Sequence, residues 1–87
     1  MASVFIPPQM RELTDGAERV EAAGESLGQV VAELERRHPG FAARVREGDG
    51  VAAGLAVSID GTLTNRGMLA KVGPASEIHF LPAIGGG

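Results

Sequence analysis

A single stretch of this 87-residue chain carries a full amphipathic helical repeat, and that one repeat restricts the fold more than any other feature. Leu27, Val30, Val31 and Leu34 follow the i, i+3, i+4, i+7 spacing that lines one face of a helix, while Glu33 stands four residues before Arg37 on the outer side. Ser26-Leu27-Gly28-Gln29 opens the stretch as a capping box. The serine hydroxyl accepts from the backbone N–H three residues on, and Gln29 reaches back. His38-Pro39-Gly40 closes it, because Pro39 disfavours helical geometry at His38 and Gly40 allows a sharp turn. A lone helix cannot bury its apolar stripe against itself, so the rest of the chain has to supply a sheet.

Short alternating runs supply it. Val4-Phe5-Ile6 reads as a strand buried on both faces and ended by Pro7-Pro8, which cannot donate to a ladder. Thr14-Asp15-Gly16 carries a turn signal, after which residues 17–22 return as a second strand, antiparallel to the first, with Val20 and Ala22 on one face. Beyond the helix, Phe41, Ala42 and Val45 suit a short helical turn, and Glu47-Gly48-Asp49-Gly50 reads as a loop. Leu55, Val57 and Ile59 alternate with Ala56 and Ser58 in the cleanest strand, whose apolar face should meet the helix and which Asp60-Gly61 closes. Residues 62–73 read as irregular, with a short strand around Met68 to Lys71. A turn at Gly73-Pro74 leads into a last strand, in which Ile78 and Phe80 alternate with Glu77 and His79 until Pro82. The order strand, strand, helix, strand, short strand, strand is that of the β-grasp fold. It is an α+β arrangement in which one main helix covers a mixed sheet and the first and last strands lie parallel at its centre. The expected division is a β-grasp domain over residues 1–82 and a flexible glycine-rich tail over 83–87.

Composition removes several functions. Eleven acidic residues against eight basic ones leave a formal charge of -3, which argues against a nucleic-acid footprint, because phosphate neutralisation needs clustered Lys and Arg. No cysteine is present, so thiolate nucleophiles and sulfur-based metal sites are excluded, and any sulfur handled must be borrowed. No apolar run approaches the roughly 20 residues that cross a bilayer, and the start lacks the pattern of a signal peptide. No membrane association is therefore expected, and a cytoplasmic location is. His38 and His79 lie far apart without a cysteine to complete a zinc site, so no metal site is expected. His38 reads instead as a helix C-terminal residue and His79 as a sheet-surface residue. Asp15, Asp49 and Asp60 each adjoin glycine, the composition of turns, and Gly48-Asp49-Gly50 lacks the lysine of a phosphate loop. Arg36, Arg37, Arg44 and Arg46 interleave with Glu33, Glu35 and Glu47 as a solvated mixed face.

The tail is the feature left over. Ala83-Ile84-Gly85-Gly86-Gly87 can extend by roughly 3.3 to 3.6 Å per residue, so its end reaches about 17 Å beyond a folded core, far enough to enter another protein's active site. Glycine has no side chain to clash in a narrow tunnel. Taken alone, such an ending reads equally well as a frayed terminus or an expression scar.

The sequence nevertheless resembles the MoaD/ThiS family of ubiquitin-like sulfur carriers. The likeness runs from Val4-Phe5-Ile6-Pro7 and Met10-Arg11 through Thr14-Asp15-Gly16, the helix and Pro39-Gly40-Phe41 to Leu81-Pro82-Ala83-Ile84 and the terminal Gly86-Gly87. Ala56 and Asp60 stand where many members carry Asn, and Gly73-Pro74-Ala75-Ser76 replaces a common Asp-Gly-Asp turn. The resemblance implies that the Gly87 carboxylate carries the sulfur. A partner enzyme of the ubiquitin-activating type would adenylate it with ATP and magnesium, and a sulfur donor would then displace AMP to leave a thiocarboxylate. Gly85 and Gly86 become the thin track that threads into a partner, and Leu81, Pro82 and Ile84 become docking contacts. No residue is assigned catalytic work, and no cofactor is bound by the chain itself. The small subunit of molybdopterin synthase is the first expected role, with the large subunit as sulfur acceptor. The alternatives are a carrier for cysteine, thiamine or thio-metabolite biosynthesis, and a ubiquitin-like modifier conjugated through Gly87. A passive β-grasp binding module is a further class, for which the terminal glycines would be dispensable.

Overall fold

The computed structural model describes residues 1–83. In chain order the elements are β1 (Ala2–Phe5), a 3-10 helix (Pro8–Thr14), β2 (Arg19–Ala22), α1 (Leu27–Arg37), α2 (Phe41–Val45), β3 (Arg46–Glu47), β4 (Gly50–Val51), β5 (Leu55–Ile59), β6 (Thr62–Leu63), a 3-10 turn (Gly67–Leu69) and β7 (Glu77–Pro82). The main sheet runs β2-β1-β7-β5-β6. β1 and β7 are parallel at its centre, and every other pair is antiparallel. One long helix lies across one face. This is the β-grasp architecture, as the order of the elements led us to expect.

The helix forms where its signals are local. Ser26 Oγ accepts from Gln29 N–H at 3.2 Å, and Gln29 Oε1 accepts from Glu25 N–H at 2.8 Å, so the capping box closes one residue earlier than its simplest form. Leu27, Val30, Val31 and Leu34 are fully buried. They meet Val4, Ile6, Val57, Ile78 and Phe80 from the sheet, and the Phe41 ring from α2 packs edge-on against Phe80 at 6.0 Å. Glu35 accepts from the backbone N–H groups of Gly40 and Ala42 at 3.1 and 2.9 Å, which satisfies the start of α2. The outer arginines pair as a mixed face. Arg36 and Arg37 meet Glu33, Arg44 lies 3.5 Å from Glu12, and Arg46 lies 3.7 Å from Asp49.

Three expectations need correction, and one stretch without a sequence signal forms an element of its own. β1 is buried on one face only: Val4 and Ile6 are covered, whereas Phe5 points to the open face of the sheet and is half-buried, because among the described residues no second layer packs there. The polar stretch after Pro7 forms a 3-10 helix. It is too short to show a period, and it holds because Met10 is buried and the buried Thr14 hydroxyl donates to Ala17 O at 3.0 Å. Glu47 to Gly50 is a tight hairpin between β3 and β4, not an open loop. No strand forms around Met68 to Lys71. Gly67–Leu69 coils tightly against Asp49, and Lys71 makes a single bridge to Ser26, because this backbone bonds to the residues at the start of α1 and just before it (Leu27 N–H to Ala70 O, Val72 N–H to Glu25 O).

Candidate functional site

β7 decides where the end of the chain emerges. Ile78 and Phe80 face the core, while Glu77, His79 and Leu81 face the open side, the alternation that a half-buried strand requires. β5 stays paired with β7 to its end, with Ala56 opposite Leu81 and Leu55 opposite Pro82. One more backbone bond follows, from Ala83 N–H to Gly54 O at 2.9 Å. The chain is thus held to the rim of the sheet through Ala83. Leu81 is 40% exposed, and Pro82 and Ala83 are exposed beside it. Of the expected site residues, Leu81 and Pro82 lie together at this rim; Ile84, Gly85, Gly86 and Gly87 lie outside the described residues.

A groove of about 550 Å³ opens beside Leu81 and Pro82, walled by Phe5, Pro7, Pro8, Arg11 and Arg19. Pro7 holds the chain extended as it leaves β1, and Pro8 opens the 3-10 helix. Arg11 is fixed across the groove's base by donating from Nε to Ile6 O at 3.0 Å. Phe5 and His79, opposite one another on the parallel pair, stack face to face with ring centroids 4.3 Å apart. The Arg19 guanidinium sits 5.9 Å from the Phe5 centroid, within cation–π range. The register sets Arg19, Phe5, His79, Ser58 and Leu63 side by side in one row across the open face. Phe5, Arg19 and His79 were not singled out from the sequence as site residues. A register connecting positions 5, 19 and 79 has no local signature.

The opposite end of β7 is pinned by a carboxylate. Asp60 Oδ2 accepts from Ser76 Oγ at 2.8 Å and Oδ1 from Glu77 N–H at 2.9 Å, while Ser76 Oγ also accepts from Gly73 N–H at 2.8 Å. The Glu77 N–H, and after it the Ser76 hydroxyl, hold the Asp60 carboxyl below its ordinary value. The turn Gly73-Pro74-Ala75-Ser76, unusual beside its resemblance, is thereby tied to the β5–β6 corner.

A rim that holds the chain through Ala83, a groove at its foot and a half-apolar open face make a surface suited to presenting a chain end. The ThiS family model matches residues 4–87, all but the first three positions. The chain belongs to the ThiS family. Among ThiS-like proteins, it is 26% identical over 90 residues to the sulfur carrier protein CysO of Mycobacterium tuberculosis, covering 98% of this chain and 97% of that one. A chain of the solved BexX/CysO complex from Amycolatopsis orientalis superimposes with a TM-score of 0.90 and 28% identity over the full length of both. The small archaeal modifier protein 1 of Methanosarcina acetivorans shares the fold, with a TM-score of 0.76 and 21% identity over 99% of this chain and 95% of that one.

Proposed function

We propose that this ThiS-family chain is a sulfur carrier whose Gly87 carboxylate is converted to a thiocarboxylate, and that the sulfur goes to cysteine. The observation that carries the reading is the family match itself, which extends past the described residues to Gly87. The emergence of the chain at an exposed rim fits it. A carboxylate is a poor electrophile. A partner of the ubiquitin-activating type, using ATP and magnesium, makes it an acyl adenylate with loss of pyrophosphate, and a sulfur donor then displaces AMP. The absence of cysteine suits this chemistry, since no internal thiol competes for the activated carbonyl. Gly85 and Gly86 form the thin segment that enters the partner, and Leu81, Pro82 and Ile84 dock at its mouth. The chain is then a protein cosubstrate and not an enzyme.

Cysteine is favoured as the destination because relatives matched over nearly their whole length are CysO carriers. The molybdopterin synthase role implied by the resemblance has no comparable support, and it stands as the second reading.

The deciding measurement is the intact mass of the protein purified from its own cells without a C-terminal tag. A species heavier by the difference between sulfur and oxygen, reactive with an electrophilic sulfonyl azide and lost on deleting Gly87, is the expected result. Only free acid after incubation with ATP, a sulfur source and the cognate activating enzyme would end the carrier reading. The destination is read separately. Labelled sulfur recovered in cysteine with a cysteine-synthase-like partner supports it, and recovery in a pterin with a molybdopterin synthase large subunit overturns it.

A further inference from the structure

Charge is distributed unevenly over this chain. Among the described residues, Arg36, Arg37, Arg44 and Arg46 each lie against a carboxylate, as on a solvated mixed face. Arg11 and Arg19 do not, although the chain is acidic overall, and both border the groove beside Leu81 and Pro82. Glu18 borders it too, beyond ion-pair distance of either. The other unpaired cations, Arg66 and Lys71, border a concavity that they share with Asp60, at the opposite end of β7.

The two guanidiniums at the groove are anchored without being neutralised. Arg11 uses its Nε–H on Ile6 O at 3.0 Å, which fixes the side chain and leaves its terminal N–H groups without an acceptor among the described residues. Arg19 is exposed and lies 5.9 Å from the centroid of the Phe5 ring, which is itself stacked on His79. Guanidinium groups held in this way lose little freedom on meeting a carboxylate, and their forked donors suit its two oxygens. The rest of the groove is largely apolar, with Pro7, Pro8, Leu81 and Pro82 in its walls. Proline rings and a stacked aromatic change shape little, so the space is preorganised. It is continuous with the exposed Leu81 and with the rim where Ala83 is bonded to Gly54.

Extending the docking proposed above for Leu81 and Pro82, we infer that this groove seats a segment of a partner protein in which an aliphatic side chain stands next to a carboxylate. The side chain enters between the prolines and Leu81, and Arg11 and Arg19 take the carboxylate. A neutral or basic segment would leave both guanidiniums without an acceptor, so the same contact selects among partners.

The test uses the full chain labelled with nitrogen-15 and two probe peptides, N-acetyl-leucyl-aspartyl-leucinamide and its asparaginyl isostere. It needs neither a sulfurated terminus nor an activating enzyme, so its outcome and that of the mass measurement are independent. Titration is expected to move the signals of Phe5, Arg11, Arg19 and Leu81, with the aspartyl peptide bound at least about fivefold tighter than the asparaginyl one. That advantage should fall to within about twofold in Arg19→Gln, and in the wild type at about 1 M salt. Arg19→Gln alters an exposed side chain, and unchanged signals away from the groove report that the fold is kept. Equal affinity for the two peptides, shifts centred outside the groove, or no saturable shift up to about 10 mM peptide would overturn the inference. So would a groove already filled, shown by peptide binding at least about tenfold tighter once residues 84–87 are deleted, or by a dimer that the peptide dissociates.

Discussion

Asp60 ends β5 in the left-handed region at φ 53°, a conformation that Asp and Asn tolerate better than most residues. From there its carboxylate reaches the Ser76 hydroxyl and the Glu77 N–H, sixteen and seventeen residues on. Those bonds depress its pKa from an ordinary 3.8. A depressed folded-state value contributes stability that is fully present above the unfolded pKa and is lost as pH falls through the folded one. Asp60→Asn, which keeps the backbone conformation, is expected to lower the melting temperature near neutrality. The gap to wild type should shrink as pH drops below 3.8. Melts followed by circular dichroism from about pH 7 to about pH 2.5 read this directly, and a gap that stays constant would remove the carboxylate from the account. Asp60-Gly61 was legible as a turn because the signal is local. The partners of its carboxylate were not, because only the antiparallel register of β5 and β7 brings Ser76 and Glu77 there.

Elements divide by how their stability is supplied. α1 carries its own instructions in cap, stripe and stop, and all three appear where expected. Ser26→Ala removes the acceptor of the Gln29 N–H bond and should cost about 1 kcal/mol in denaturant unfolding. Leu34→Ala, at a fully buried position, should cost about 3 kcal/mol. The turn Gly67–Leu69 depends instead on its neighbours. Met68 N–H donates to Asp49 O at 2.9 Å, and a Cβ on Gly67 would lie 2.4 Å from that carbonyl, at a φ of 58° that already disfavours a side chain. Gly67→Ala should therefore cost about 2 kcal/mol or more. Gly28, which weakens the first turn of α1 in isolation, faces the same segment: a Cβ there would sit 3.2 Å from Met68 O. Short pieces held by such approaches carry no period, so residues 8–14 and 67–69 could not be read as helical.

At the scale of the whole molecule, the parallel β1 and β7 separate two poles. The chain start and Lys71 lie at one, and the groove, Leu81 and Pro82 lie at the other. Because Gly86 and Gly87 have no side chains to pack, deleting them should change unfolding free energy by less than about 0.5 kcal/mol. The same deletion should abolish the thiocarboxylate in the mass spectrum. Leu81→Asp changes an exposed side chain and should leave the melting temperature nearly unaltered. Sulfur transfer to a cognate acceptor should fall by about tenfold or more, through a weaker complex. Unchanged transfer would place docking elsewhere on the rim.

The sequence by itself determined what is local or compositional: one capped helix, alternating strands, the absence of cysteine, a single lysine and a terminal run of glycine. These follow from backbone preference and periodicity over a few residues, and they sufficed for the β-grasp order and the family resemblance. Only the tertiary structure decided what depends on strand register and on which face a helix covers. It stacked Phe5 on His79 under Arg19, left one side of β1 open to solvent and tied Asp60 to Ser76. Such contacts join residues dozens of positions apart, and the energy that selects them resides in the packed core and not in any stretch of chain.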